Sequence, residues 1–336
     1  MTRFYYLFFL TLSAFSQVSI ADEGFSISAG GMLFGDLYYV SKSHLPDAAE
    51  STGWVTRRGV LTANAKAGQS WFGRARVEAF DTGSAGDYDL TGQGRDLYIG
   101  RKLGQHTVTG GLIPTISYDV IEHYWNKRYL VRLAPDLHGI PSRDLGISLK
   151  GKISNDSRAS YRLMYGSSAT WEADHNAYDK FMGAVVFQPT EESLFELYVD
   201  EEPRPGNHDR STAQVFAGRK TEQYFMGVLY THQDRQSDPP LEVAALLGTL
   251  KVTSSASLVS QFHYLLEPSP KGNSITYLPF DPTARASNIV AGIEFSLGHH
   301  LLITPNVAWT VYDQNSQGVR PEDDLQVRLT VFFNFE

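Results

Sequence analysis

Arg74, Arg76 and Glu78 stand on alternate positions, with Gly73, Ala75, Val77 and Ala79 between them. A strand with that spacing carries charge on one face and an apolar surface on the other. Charges lining confined water select ions by sign, so this is the first chemistry the residues offer. The same alternation puts Arg58, Lys66, Lys150, Lys152, Arg158, Arg162 and Arg328 on polar faces, against the acids Asp144, Glu196 and Glu294. The basic excess predicts a lining that leans toward anions; a lining balanced by Glu78 and Asp144 is the competing reading. Arg95, Asp96, Arg101 and Lys102 stay unassigned, because their strand fits either register.

Catalytic arrangements are sparse. The sequence has no G-x-S-x-G, no H-E-x-x-H and no P-loop, and Gly92-Gln93-Gly94 lacks the third glycine of a dinucleotide loop. His299-His300 reads as a solvated turn rather than a metal site. Glu122-His123 with Ser142 would serve a lipase or protease only with an oriented base and oxyanion donors, and the sequence shows neither. With no cysteine among 336 residues, thiolate metal sites, disulfides and cysteine nucleophiles are excluded. The expectation is no catalytic residues, no cofactor and no metal. A net charge of −8 supplies no basic field for nucleic acid.

The elements that must position these charges are strands. After residue 22 the chain repeats one unit, about ten residues of alternation and then a break. Short breaks near 68–69, 104–105, 154–156, 189–192, 221–223, 253–255 and 298–299 alternate with long ones at 42–53, 82–94, 117–142, 166–179, 203–210, 235–240, 267–286 and 314–322. Seven turns and eight loops join sixteen strands. An even number with short and long connections at opposite ends predicts an all-β, transmembrane, antiparallel up-and-down barrel with short periplasmic turns and long extracellular loops. The register is ambiguous in the fourth, eighth, eleventh and thirteenth strands. Tyr38, Tyr39, Trp54, Trp71, Tyr165, Tyr230, Tyr264, Trp309 and Tyr312 fall near strand ends, where an interfacial girdle would sit.

The third long loop, 117–142, is unlike the others. Val120, Ile121, Trp125, Leu130, Val131 and Leu133 would be costly on an external tip. Folded into the lumen, they can pack on the inner wall while Glu122, Lys127, Arg128 and Arg132 project into the water and narrow it. An external loop packed on itself or on a neighbouring subunit is the alternative.

Residues 1–21 read as a secretory signal: Arg3, the apolar run from Phe4 to Leu12, and the small residues Ser19 and Ala21 before a cleavage point. Residues 22–336 are then the barrel domain, exported through the periplasm to a bacterial outer membrane. The last strand ends Phe332-Phe333-Asn334-Phe335-Glu336, so Glu336 follows the terminal aromatic that barrel assembly reads.

The stretches from Gly110 to Thr115, Tyr124 to Tyr129 and Ser142 to Gly151, with Phe34 to Tyr39 and Arg57 to Val60, resemble the phosphate-selective porin O and P family over residues 30–152. The resemblance implies a sixteen-stranded channel, commonly a homotrimer, with an inward third loop and arginines along the lumen. Arg58, Arg74, Arg76, Lys127, Arg128 and Arg132 occupy comparable places, without a series dense enough for phosphate itself. The expected function is a porin for passive diffusion of small hydrophilic solutes, with a lean toward anions. Its expected partners are those solutes, outer-membrane lipid and lipopolysaccharide, and the barrel assembly machinery. A barrel enzyme and a structural or adhesive barrel are the alternatives.

Overall fold

The computed structural model describes residues 20–22, 24–81, 90–154, 158–168 and 178–335. Most of the expected export signal at 1–21, residue 23, parts of the second and fourth long loops, residues 155–157 and Glu336 lie outside them. Sixteen strands form the barrel: β1 (Phe25–Lys42), β2 (Thr52–Ala67), β3 (Trp71–Asp81), β4 (Leu90–Leu103), β5 (His106–Pro114), β6 (Arg143–Lys152), β7 (Ala159–Gly166) and β8 (Lys180–Phe187) make one half. β9 (Ser193–Glu202), β10 (Arg210–Lys220), β11 (Tyr224–Asp234), β12 (Leu241–Lys251), β13 (Ala256–Leu265), β14 (Ala286–Ser296), β15 (Leu301–Tyr312) and β16 (Asp324–Phe335) make the other. Each pairs antiparallel with its sequence neighbour. β16 returns to β1, from Val327 opposite Tyr39 to Phe335 opposite Gly31. A short strand, Ile20–Asp22, adds to the start of β1. Closure leaves the barrel without a free edge, and lipid has no partner for an unpaired backbone group.

Burial runs inside out. Large apolar side chains face outward, with Leu97, Ile147, Leu197 and Met226 all more than half exposed, while Thr212, Gln233, Gln261, Asn288 and Thr330 are buried inside. A soluble sandwich does the reverse. No helix of the described residues is long and apolar enough to cross a membrane. Trp54, Trp71, Tyr165, Tyr230 and Trp309 stand on the outer face as a girdle requires, and the Arg101 guanidinium lies over the Trp71 ring at 5.1 Å. Tyr312 departs from the expected girdle: it is buried inside and donates to Asp324.

Two β-bulges decide where the arginines point. In β1–β2, Phe34 pairs with Arg58 and Gly35 with Thr56, so Arg57 is the extra residue. In β3–β4, Arg76 pairs with Asp96 and Val77 with Gly94, so Arg95 is extra. Regular alternation would send one member of each charged pair into lipid, at about 2–4 kcal/mol near the midplane. A bulge lets neighbouring residues share a face, and Arg57, Arg58, Arg95 and Asp96 all turn inward.

The loop between β5 and β6 folds into the lumen. It carries α1 (Asp119–Trp125), closed by Asn126 in the left-handed conformation (φ 46°), and a single turn, α2 (Ala134–Leu137). Ile121, Trp125, Leu130, Val131, Leu133 and Leu137 are almost wholly buried and belong to one core with inward side chains of β10 to β14: Phe216, Leu229, Val243, Ala245, Val259 and Val290. Each fully buried side chain of this kind contributes about 1.5–3 kcal/mol. Just before the loop leaves the wall, Gly111 has φ 124°, and a Cβ there would meet the Leu97 carbonyl at 2.3 Å; only glycine lets β4 and β5 approach so closely.

Candidate functional site

Polar tethers hold the loop across the lumen. Arg57 donates to the carbonyls of Tyr129 and, at 3.1 Å, Leu130, and its Nε pairs with Asp36 at 2.9 Å. Lys127 reaches Glu294 on β14 at 2.7 Å, and the Tyr129 hydroxyl donates to the same carboxylate. Gln261 on β13 donates to the Arg132 carbonyl at 2.9 Å, and Gln214 on β10 to that of Ser117 at 2.8 Å. At the loop's return, His138 Nε2 lies 3.1 Å from His263 Nε2 and its Nδ1 lies 2.8 Å from Ser269 Oγ of the seventh loop. Burial holds the His138 imidazole well below its ordinary value, and His263, Lys271 and Arg235 push it the same way.

The loop thereby pushes a guanidinium against the opposite wall. Arg128 pairs with Glu122 and, at 2.6 Å, with Asp136. Facing it on β2, Arg58 pairs with Glu78, which also takes Arg95 at 3.4 Å and a hydrogen bond from Gln93 at 2.9 Å. Beside them Asp96 sits beneath Arg76 (3.3 Å), Arg143 (2.6 Å) and Arg74 (4.0 Å). Two adjoining chambers lie between the loop and the wall. One, toward the short turns and so on the expected periplasmic side, has about 200 Å³ and is lined in part by Arg58, Arg76, Glu78, Glu122, Arg128 and Arg143. The other, toward the long loops and so on the expected extracellular side, has about 180 Å³ and is lined in part by Arg57, Arg58, Glu78, Arg95, Arg128 and Arg132. Arg58, Glu78, Arg128 and Phe34 belong to both, so the chambers meet there.

Four arginines line one chamber and five the other, two of them shared; these seven share the lining with Glu78 and Glu122, while Asp36, Asp96 and Asp136 pair with Arg57, Arg76, Arg143 and Arg128, so seven cations stand against five carboxylates. Two loop carboxylates are held charged by the cations around them. Burial alone would raise the Asp136 carboxyl, yet Arg128, Arg132, Arg95 and Arg58 hold it below the usual carboxylate range. Burial opposes the charge of Asp119 as well, and Lys150, Arg162 and Arg143 outweigh it.

The residues expected from sequence divide into two groups. Arg58, Arg76, Glu78, Glu122, Arg128 and Arg132 come together on the chambers. Arg74 stands beside them, over the Tyr98 ring at 6.0 Å. Lys127 ties the loop to Glu294 instead of lining either chamber. Lys150 and Arg162 hold Asp119 of the loop, at 2.7 and 3.7 Å, and Arg162 also holds Glu196. Asp144 is buried apart from them, accepting from the Ser168 N–H at 3.3 Å. Arg328 is buried in the wall and donates to Asn306 at 3.0 Å. Alternation alone missed Arg57, Arg95, Asp96 and Arg143. The adjacent charges in Arg57-Arg58 and Arg95-Asp96 are the signal for the first three: away from a strand end, a bulge is what keeps two neighbouring charges both off the lipid. Ser142 accepts from Arg95 at 2.8 Å, and the His123 ring packs edge-on against Tyr124; among the described residues no hydrogen bond joins Ser142 to His123.

By sequence, no family model and no curated protein matches the chain. Solved structures do match it by shape. OmpF of Salmonella typhi, in a complex with daunomycin, superposes with a TM-score of 0.66 at 11% identity, over 94% of this chain and 100% of that one. The anion-selective porin from Comamonas acidovorans gives 0.63 at 13%, over 93% and 100%. In vitro folded OmpT, an outer-membrane protein of Vibrio cholerae in a trimer form, gives 0.58 at 14%, over 93% and 99%. At such identities the likeness establishes architecture: this chain is built as a closed sixteen-stranded barrel of the porin type.

Proposed function

We propose that this chain is an outer-membrane channel for passive diffusion of small hydrophilic solutes, and that its constriction favours anions. The observation that carries the preference is the charge balance at the two chambers, seven arginines against the five carboxylates of Glu78, Glu122, Asp36, Asp96 and Asp136. Guanidiniums stay charged at any working pH, and confined charge between low-dielectric walls concentrates ions of opposite sign. The anion selectivity named for the Comamonas acidovorans neighbour supports this reading, as does the resemblance to the phosphate-selective porin O and P family. No step of catalysis is needed: width, charge and the position of the third loop decide what passes.

A homotrimer is the proposed assembly. The outer face of β2 and β3 carries Gly59, Ala63, Ala65, Gly73, Ala75 and Ala79, where the far side of the barrel carries Leu, Val and Phe. Small residues let a second backbone approach closely within a bilayer. The trimer form of the Vibrio cholerae neighbour supports the same assembly. Outer-membrane lipid, lipopolysaccharide and the assembly machinery complete the proposed surroundings, with the export signal at 1–21 removed on the way.

Liposome swelling with graded sugars and with potassium salts of small anions tests the reading. Swelling must fall with solute size, and anions must enter faster than uncharged solutes of equal size. Liposomes that stay inert to every solute would overturn the channel.

A further inference from the structure

Resting on the anion-channel reading, we infer that the solute class is small monocarboxylates with an apolar body, which lie with the carboxylate on the arginines and the body on the apolar surface beside them in the periplasmic-side chamber. That chamber sets charged and apolar side chains next to each other. Arg58, Arg76, Arg128 and Arg143 line it with Glu78 and Glu122, and Met32 and Phe34 of β1, Val60 of β2, Phe332 of β16, and Trp125 and Leu133 of the loop line it with them. Phe34 stands directly across from Arg58 on the neighbouring strand. Strand positions facing water in an open barrel are ordinarily polar. Here Met32 pairs with Val60, and Phe34 with Phe332, so four inward positions on three adjoining strands are apolar together. Docking of the loop accounts for part of this surface: the Tyr129 ring covers Phe332 at 4.8 Å. Met32, half-buried, and Val60, 5% exposed, still belong to the chamber lining.

The extracellular-side chamber repeats the arrangement, with Phe80 and Tyr277 among its arginines. A solute passing through both therefore meets guanidiniums and apolar or aromatic surface at every stage. Arginine forks take carboxylates through two parallel hydrogen bonds. The apolar side does nothing for a fully hydrated inorganic anion except remove its water. A chamber of about 200 Å³ is smaller than sites for drug-sized ligands, roughly 300–1,000 Å³, which sets the body at a short alkyl chain or a single ring.

The test is block of the chloride current of the full chain in planar bilayers by acetate, butyrate, hexanoate, benzoate and inorganic phosphate. The half-blocking concentration should fall about two- to fourfold for each added methylene, fourfold being the limit for full burial, with benzoate near hexanoate and phosphate weaker than both. Val60→Thr, which keeps the side-chain shape, and Met32→Gln should each flatten the series while leaving the chloride reversal potential unchanged. A flat series, or phosphate as the strongest blocker, in a channel whose reversal potential is anion-selective overturns the solute class and spares the anion channel. A series that stays as steep in both variants overturns the assigned wall. A cation-selective reversal potential in potassium chloride overturns the underlying reading itself.

Discussion

Glu78 is the carboxylate that most restrains the constriction. Its oxygens hold Arg58 and Arg95, at 3.4 Å for the latter, and it lines both chambers. Glu78→Gln removes one negative charge and keeps the size of the side chain. Taking roughly 7 Å between that carboxylate and an anion seated against Arg58, Coulomb's law gives about 0.6–1.2 kcal/mol for an effective dielectric of about 40–80. Salt at 0.1 M, with a screening length of about 10 Å, halves this to about 0.3–0.6 kcal/mol. Anions gain that amount and cations lose it, so the permeability ratio moves by about 0.6–1.2 kcal/mol, which is about three- to eightfold toward anions. The reversal potential across a potassium chloride gradient in a planar bilayer reads the ratio directly, and Glu78→Asp, which keeps the charge, is the control. A ratio that stays put, or moves toward cations, refutes the placement of Glu78 on the ion path.

Leu130, wholly buried between loop and wall, should cost about 2–5 kcal/mol when changed to Ala; the barrel stays closed while the loop becomes open to trypsin at Lys127 and Arg128, and unchanged digestion would contradict the docking. Arg57→Ala strands the Asp36 carboxylate and two loop carbonyls, a loss of about 3–5 kcal/mol read as a lower melting temperature in detergent, and adding Asp36→Asn should recover part of it. His138 is held below its ordinary value of 6.5 in the docked loop, so a released loop binds a proton that the docked one does not. Its contribution is therefore complete above pH 6.5 and lost as pH falls; current fluctuations should grow on acidification, and His138→Phe should remove that growth. His44 in the first loop has the opposite sign. Burial lowers it, but Asp324 and Asn273 outweigh burial and raise it, so its hold on the mouth should weaken as pH rises through its raised value, seen as faster proteolysis of residues 43–51 in alkaline buffer.

The strand count, the alternation of turns and loops and the inward third loop were legible because each rests on a local pattern. β3 shows why: Trp71 and Val77 meet lipid while Arg74, Arg76 and Glu78 meet water, so period two survives in the sequence. β11 and β13 hid their register for a physical reason. Their inner faces lie under the loop, so Leu229 and Val259 are as apolar as the lipid-facing Val228 and Leu258, and a strand apolar on both faces has no period to read. β8 is ambiguous likewise, with Met182 and Ala184 packed inward on Ile113 and Met164. β4 was unreadable because the bulge at Arg95 switches its register midway. At the site, alternation found the charges that lie on regular ladders. It could not find Arg143, whose role depends on a partner, Asp96, 47 positions away in sequence, nor separate Lys127 as a tether from Arg128 as a lining residue.

The chain has no cysteine, so Arg128→Cys gives one thiol where the two chambers meet. Single-channel recording of that variant before and after a water-soluble, bulky thiol reagent tests the account most directly. Stepwise conductance that drops on modification is the predicted result. A barrel that never conducts, or one whose steps are untouched once the thiol is fully modified, would contradict a water path narrowed by the third loop.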